Sequence, residues 1–150
     1  MFRGQYEHAI DVKGRTSVPS RFREVLASRG ESKLVLTSGL DPCLVAYPMS
    51  EWEAFEERLA ALPSFDPSVA MIRRIYVSGA CELEMDKLGR VGIPPSLRSF
   101  AALEREALWA GMGTHLELWS KPRFDELRAS VLDDPARRLE MARRLAELGL

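Results

Sequence analysis

The sequence predicts an α+β fold in which one structural unit is used twice. Residues 11–23, DVKGRTSVPSRFR, return at 86–98 as DKLGRVGIPPSLR, with aspartate, glycine, arginine, proline and a final arginine at the same offsets. Polar and apolar residues alternate before each copy, as in a half-buried strand, and apolar residues at helical spacing follow each copy. The repeated unit is therefore a strand, a turn, an extended segment and a short helix.

Each strand ends in a tight turn of sequence Asp-x-x-Gly. Gly14 and Gly89 occupy the turn position that requires a positive φ, which glycine adopts without steric cost. We expect the side chains of Asp11 and Asp86 to accept hydrogen bonds from backbone amides of their own turns. The two aspartates are thus predicted to be structural and not catalytic.

A short helix follows each turn. Proline holds the preceding Val18 or Ile93 extended and is itself well suited to the start of a helix. The residues predicted to face the core from these two helices are Phe22, Val25 and Leu26, and in the second copy Leu97, Phe100 and Ala101.

The segments between the motifs predict a hairpin and a helix in each half. Residues 34–37 and 43–47 form the first hairpin around a Gly-Leu-Asp-Pro turn, and residues 107–110 and 116–119 form the second. Ser50-x-x-Glu53 predicts a capping box at the start of a helix. The apolar face of that helix consists of Trp52, Phe55, Leu59 and Leu62, and its opposite face is acidic.

We expect four regions: a first half at 5–52, a helical linker region at 53–75, a second half at 76–119 and C-terminal helices at 120–150. Phe124, Leu127 and Val131 predict the apolar face of the first C-terminal helix. A second helix begins at Asp134-Pro135 and runs to Leu148 with one broad apolar side. That side either packs on its own domain or contacts another subunit, because periodicity alone does not separate the two.

Composition bounds the classes of function. The chain is 46% hydrophobic and 29% charged, as in ordinary globular proteins, and it contains no apolar run long enough to span a bilayer. The N-terminus has no apolar signal region, so we expect a cytoplasmic protein. Cys43 and Cys81 match no metal or redox spacing and are predicted to be buried thiols.

Catalytic motifs are absent from the sequence. The two histidines, His8 and His115, lie in no metal-ligand spacing, and there is no GxSxG, P-loop or GxGxxG segment. We therefore expect no enzymatic activity, no cofactor, no metal and no small-molecule substrate.

Basic residues cluster near the turns although the net charge of the chain is −1. The first 30 residues contain six basic and three acidic side chains, and such a local patch can bind phosphate. Guanidinium groups also suit the O6/N7 edge of guanine. The predicted DNA-binding residues are Arg15, Lys13, Arg23, Arg3, Arg90 and Arg98.

The repeated motif resembles the signature of AbrB-like, swapped-hairpin DNA-binding domains. It reads Asp-x-x-Gly-Arg-x-x-[Val/Ile]-Pro-x-x-[Phe/Leu]-Arg, and two copies in one chain of this length, after Met1-Phe2-Arg3-Gly4, resemble the MraZ family of bacterial transcriptional regulators. The resemblance implies a swapped-hairpin β-barrel that forms an intrachain pseudo-dimer with flanking helices. It also implies that the first copy, which alone has a lysine before its glycine, dominates DNA reading.

The MraZ resemblance implies further properties of the whole protein. These are a ring-shaped homo-oligomer, binding of double-stranded DNA at short G-rich direct repeats, and association with the nucleoid. The expected role is repression of the division and cell-wall gene cluster that contains the chain's own gene. Two alternatives stay open: an antitoxin-like AbrB regulator, and an oligomeric scaffold that binds proteins through its acidic helix face and terminal helix without a DNA role.

Overall fold

The computed structural model describes every residue from Met1 to Leu150, in two compact units, 1–120 and 121–150. The first unit contains eight strands, four α-helices and one π-helical turn, Arg73–Val77. Its strands are β1 Gln5–Ala9, β2 Arg15–Ser17, β3 Lys33–Ser38, β4 Leu44–Pro48, β5 Cys81–Glu84, β6 Arg90–Gly92, β7 Glu106–Gly111 and β8 Leu116–Ser120. Its helices are α1 Ser20–Ser28, α2 Met49–Ala60, α3 Pro67–Ile72 and α4 Pro95–Phe100.

Six strands form one antiparallel sheet in the order β1-β7-β8-β4-β3-β5, and β2 pairs with β6 in a separate two-stranded ribbon. Only β3–β4 and β7–β8 are pairs within one half of the chain. The pairs β1–β7, β4–β8, β3–β5 and β2–β6 all join the first half to the second. The predicted α+β class is confirmed. The predicted closed barrel is not confirmed, because the sheet is open, with β1 and β5 at its edges.

One hydrophobic core receives side chains from both halves. Phe22 and Leu26 of α1 are fully buried, and Phe22 makes edge-to-face contacts with Phe2 and Tyr6 at centroid distances of 5.7 and 5.1 Å. In the second copy Leu97 is buried as predicted. Phe100, however, is 44% exposed, so the predicted apolar face is wrong at that position.

The predicted capping box at Ser50 is wrong. Helix α2 begins at Met49, directly after Pro48, and no side chain caps its first turn. The Ser50 hydroxyl instead donates a hydrogen bond to Glu31. Trp52 is buried on this helix as expected, whereas Leu62 lies beyond the last turn and is 48% exposed.

The second unit consists of helices α5, Lys121–Leu132, and α6, Pro135–Glu147. The predicted start of α6 is confirmed, because the Asp134 carboxylate accepts hydrogen bonds from the backbone N–H groups of Ala136 and Arg137. Neither helix has a buried residue. The apolar side chains of α6 are therefore half exposed: Leu139, Met141, Leu145 and, just beyond its end, Leu148.

None of the helices combines the length and the apolar character needed to cross a membrane.

Candidate nucleic-acid interface

The first turn is built around the carboxylate of Asp11. Oδ1 accepts hydrogen bonds from the backbone N–H groups of Lys13 and Arg15, at 3.0 and 2.9 Å. The carbonyl of Asp11 accepts a bond from the N–H of Gly14, whose φ is +78°. The local sequence thus makes a compact hairpin turn, in which the carboxylate of Asp11 accepts two backbone hydrogen bonds.

Asp11 also orients the arginine that follows the turn. Its second oxygen, Oδ2, accepts a charge-assisted hydrogen bond from Nε of Arg15 at 2.7 Å. Nε is the only atom of this guanidinium that makes a hydrogen bond within the chain, so the two terminal amino groups of Arg15 remain unbonded. The guanidinium is held in one direction while its outer edge stays available.

The second turn reproduces this geometry. Oδ1 of Asp86 accepts hydrogen bonds from the backbone N–H groups of Leu88 and Arg90, both at 2.9 Å. Its Oδ2 accepts a hydrogen bond from Nε of Arg90 at 2.8 Å. Gly89 has φ +76°. The duplication seen in the sequence is therefore a duplication of an oriented arginine.

The ribbon brings the two arginines onto one face. Arg15 lies opposite Gly92 and Arg90 lies opposite Ser17, while Thr16 and its partner Val91 are buried. Side chains alternate across a strand, so Arg15 and Arg90 both belong to the outer face. As diagonal neighbours their Cα atoms are roughly 7–8 Å apart.

The tips of the two turns differ in side-chain order. The first presents Val12, which is fully exposed, and Lys13; the second presents Lys87 and Leu88, the latter 67% exposed. Each tip therefore holds one lysine and one aliphatic residue in exchanged positions.

Two further predicted DNA-binding residues make contacts that cross between the halves. Nε of Arg23 donates to the carbonyl of Val18 at 3.1 Å, and the same side chain covers Gly89 of the second turn. Nε of Arg98 donates to the carbonyl of Ile93 at 3.0 Å and its guanidinium covers Gly14 of the first turn. Sequence spacing contains no signal for this exchange, because it depends on the pairing of β2 with β6.

Arg3 lies away from the first turn. Phe2 is bonded to Gly113 beside the β7–β8 turn, and β1 then runs roughly 15 Å before the first turn begins. Arg3 and Arg15 are close in sequence but lie near opposite ends of β1, so they are far apart in the structure.

The two halves also match one family separately. The model of a family described as "MraZ protein, putative antitoxin-like" matches residues 1–75 and again residues 76–144. The chain belongs to the MraZ family. The membership predicted from the doubled motif is thereby confirmed.

Curated relatives of this MraZ family member match it from end to end. A protein of Pelotomaculum thermopropionicum is 41% identical over all of this chain and 99% of its own length. Proteins of Alkaliphilus metalliredigens and Acetivibrio thermocellus are 43% and 41% identical over the full length of both chains. All three are named transcriptional regulator MraZ.

The electrostatics of the MraZ turns keep the aspartates charged. The pKa of Asp11 lies below its usual value, chiefly because its carboxylate accepts a hydrogen bond from the backbone N–H of Arg15. The pKa of Asp86 is lowered in the same way by the backbone N–H of Arg90. Burial lowers the pKa of His8, and the charge of Arg23 lowers it further. The arginines thus keep an ionised partner at neutral pH.

Proposed function

We propose that this chain is a sequence-specific DNA-binding transcriptional regulator that contacts DNA through the outer face of the β2–β6 ribbon. The observation that carries the proposal is the pair of arginines, Arg15 and Arg90, on one face, each oriented by an aspartate of its own turn. The names of the full-length relatives support the regulatory role.

The held guanidinium suits base recognition. A guanidinium presents parallel N–H donors that match O6 and N7 of guanine, or two oxygens of a phosphate. The Asp11–Arg15 bond uses Nε and leaves both terminal amino groups for such a contact. Less side-chain entropy is lost on binding when the side chain is already ordered, so preorganisation favours affinity.

The first turn is proposed to dominate. Lys13 directly precedes Gly14 and is exposed at the tip, whereas Leu88 occupies the matching place in the second turn. A lysine there adds a point charge that a phosphate can neutralise. Arg90, Arg23, Arg98 and Arg3 are assigned smaller or indirect parts.

Measurement of DNA affinity tests this assignment. We expect Arg15→Ala to cost about 1–3 kcal/mol per site and to flatten the preference for guanine, because a bidentate contact is lost. Lys13→Ala should weaken all DNA alike and lower the salt slope by about one unit. Arg90→Ala is the matched control and should do less than Arg15→Ala. A folded Arg15→Ala protein that binds as tightly as wild type across the salt range would remove Arg15 from the interface.

We further propose a ring-shaped homo-oligomer of interleaved, swapped-hairpin pseudo-dimers that binds short G-rich direct repeats. The half-exposed apolar residues of α6 support assembly, since they are left uncovered in the single chain. A ring presents the same face repeatedly in one sense, which fits direct repeats better than palindromes. Light scattering that gives a monomer mass at micromolar concentration would contradict the ring.

The proposed target is the division and cell-wall gene cluster that includes the chain's own gene, with the protein acting there as a repressor in the cytoplasm, on the nucleoid. A reporter fused to that control region should rise when the gene is deleted. A reporter that falls instead would contradict repression while leaving DNA binding intact.

An antitoxin-like role is the second candidate, and the description of the matching family as antitoxin-like favours it. It predicts a co-purifying toxin whose activity is blocked by the chain. If the oligomer forms but selects no DNA from a random pool, the result would instead support the alternative of a protein-binding scaffold.

A further inference from the structure

We propose that Arg98, from the second half of the chain, positions the first turn for DNA reading, and that Arg23 does the same for the second turn. The inference rests on the proposed function, because it concerns how the reading turn is held. Each arginine acts here through a glycine of the other half and not by touching DNA itself.

The contacts from Arg98 form a short path to the first tip. Its Nε donates to the carbonyl of Ile93 at 3.0 Å, and the N–H of Ile93 donates to the carbonyl of Gly14 at 2.9 Å. Its guanidinium also lies directly against Gly14, where an added Cβ would come within 2.5 Å of Cζ. Gly14 is therefore held from the second half by a hydrogen bond and by a planar group packed on its backbone.

Arg23 makes the equivalent path to the second tip. Its Nε donates to Val18 at 3.1 Å, and the N–H of Val18 donates to the carbonyl of Gly89 at 2.9 Å. An added Cβ on Gly89 would come within 2.7 Å of this arginine. Each half of the chain thus contributes one arginine that supports the turn of the other half.

The held glycine lies between the two residues proposed to contact DNA. Lys13 precedes Gly14 and Arg15 follows it, so displacement of Gly14 moves both side chains. A bidentate contact to guanine depends on the direction of the guanidinium plane. Loss of the support is therefore expected to reach DNA affinity through Arg15.

Lysine at position 98 separates support from direct contact. It keeps the positive charge but has no Nε–H in the arginine position and no planar group to cover Gly14. A direct phosphate contact would survive this change, because an ammonium also binds phosphate. Support of Gly14 would not survive it.

The test compares Arg98→Lys with Arg23→Lys, using a duplex that the wild-type protein selects from a random pool. We expect Arg98→Lys to weaken binding about tenfold and Arg23→Lys by about threefold or less, although the two changes remove equivalent contacts. In the background of Arg15→Ala, Arg98→Lys should add little further loss, because the directional guanidinium is already absent and the flexible Lys13 ammonium depends less on the position of Gly14.

Hydrogen exchange provides a readout that is independent of DNA. Amides of residues 11–17 should exchange faster in Arg98→Lys, and those of 86–92 should exchange faster in Arg23→Lys. Should Arg98→Lys fail to fold, Arg98→Met, which retains much of the aliphatic stem, replaces it in the exchange measurement alone, because without the charge its DNA affinity cannot separate support from direct contact.

Three results would overturn the inference: unchanged exchange at 11–17, binding by Arg98→Lys within twofold of wild type, or additive losses with Arg15→Ala. If the wild-type protein selects no duplex, the proposed function fails, while the exchange data still decide whether Arg98 supports the first turn.

Discussion

Replacement of Gly14 by alanine tests the crossed support through stability. Gly14 has φ +78°, a conformation that costs an alanine about 1–2 kcal/mol. The new Cβ would also come within 2.5 Å of Cζ of Arg98, so the guanidinium must move and its bond to Ile93 is strained or lost.

The chain offers two controls that separate these costs. Gly30 also has positive φ, +71°, but nothing lies within 4 Å of its added Cβ; Gly92 has open space without a positive φ. We expect Gly92→Ala to change the free energy of unfolding by less than about 0.5 kcal/mol, or to stabilise, since alanine has less freedom to lose. Gly30→Ala should cost about 1 kcal/mol after that gain is subtracted.

Gly14→Ala should cost about 2–3 kcal/mol. A hydrogen bond from a charged donor contributes roughly 1.5–3 kcal/mol, and we take about 1–2 because Arg98 is partly exposed. Urea unfolding at one fixed protein concentration measures all three variants on a common scale. If Gly14→Ala costs no more than Gly30→Ala, the packing of Arg98 on Gly14 contributes nothing to stability.

Three other predictions follow from the pairing and the burial. Residues 1–63 alone should show no cooperative unfolding as a monomer, because β1 and β2 lose their strand partners β7 and β6; a stable monomer would contradict this. Burial raises the pKa of Cys43 to about 12, so native labelling with iodoacetamide at pH 8 should spare it and labelling in urea should not, as read by mass spectrometry. Burial lowers the pKa values of His8 and His115, so the free energy of unfolding should decrease as the pH falls below the unfolded value of about 6.5, and His8→Gln should reduce that decrease.

Local signals in the sequence predicted local structure well. The Asp-x-x-Gly turns and the start of α6 depend on contacts within a few residues, and the structure contains them. The strands before the turns were predicted from the alternation of polar and apolar residues, and they are present too, although their partners are distant in sequence. The sequence identified the repeated arginines, Arg15 and Arg90, but it did not predict their hydrogen bonds to Asp11 and Asp86.

Non-local contacts explain what the sequence did not reveal. Arg23 and Arg98 were grouped with Arg15 by their spacing, whereas their positions depend on which half each strand pairs with. Phe100 is at a helical core spacing, yet α4 is short and leaves it exposed. Ser50 fits the N-cap position of a capping box, but the N-cap of α2 is Pro48, two residues earlier, at the end of β4.

The pairing of β1 with β7 imposes a delay on the chain as it is made. His8 lies opposite Ala107, so β1 leaves the ribosome about 100 residues before its partner does. At roughly 5–20 residues per second, the first strand waits on the order of 5–20 s with its backbone unpaired. During that interval it can pair with strands of other unfinished chains, and neighbouring ribosomes on one messenger supply them. The fold therefore completes late in synthesis, only after β7 has emerged.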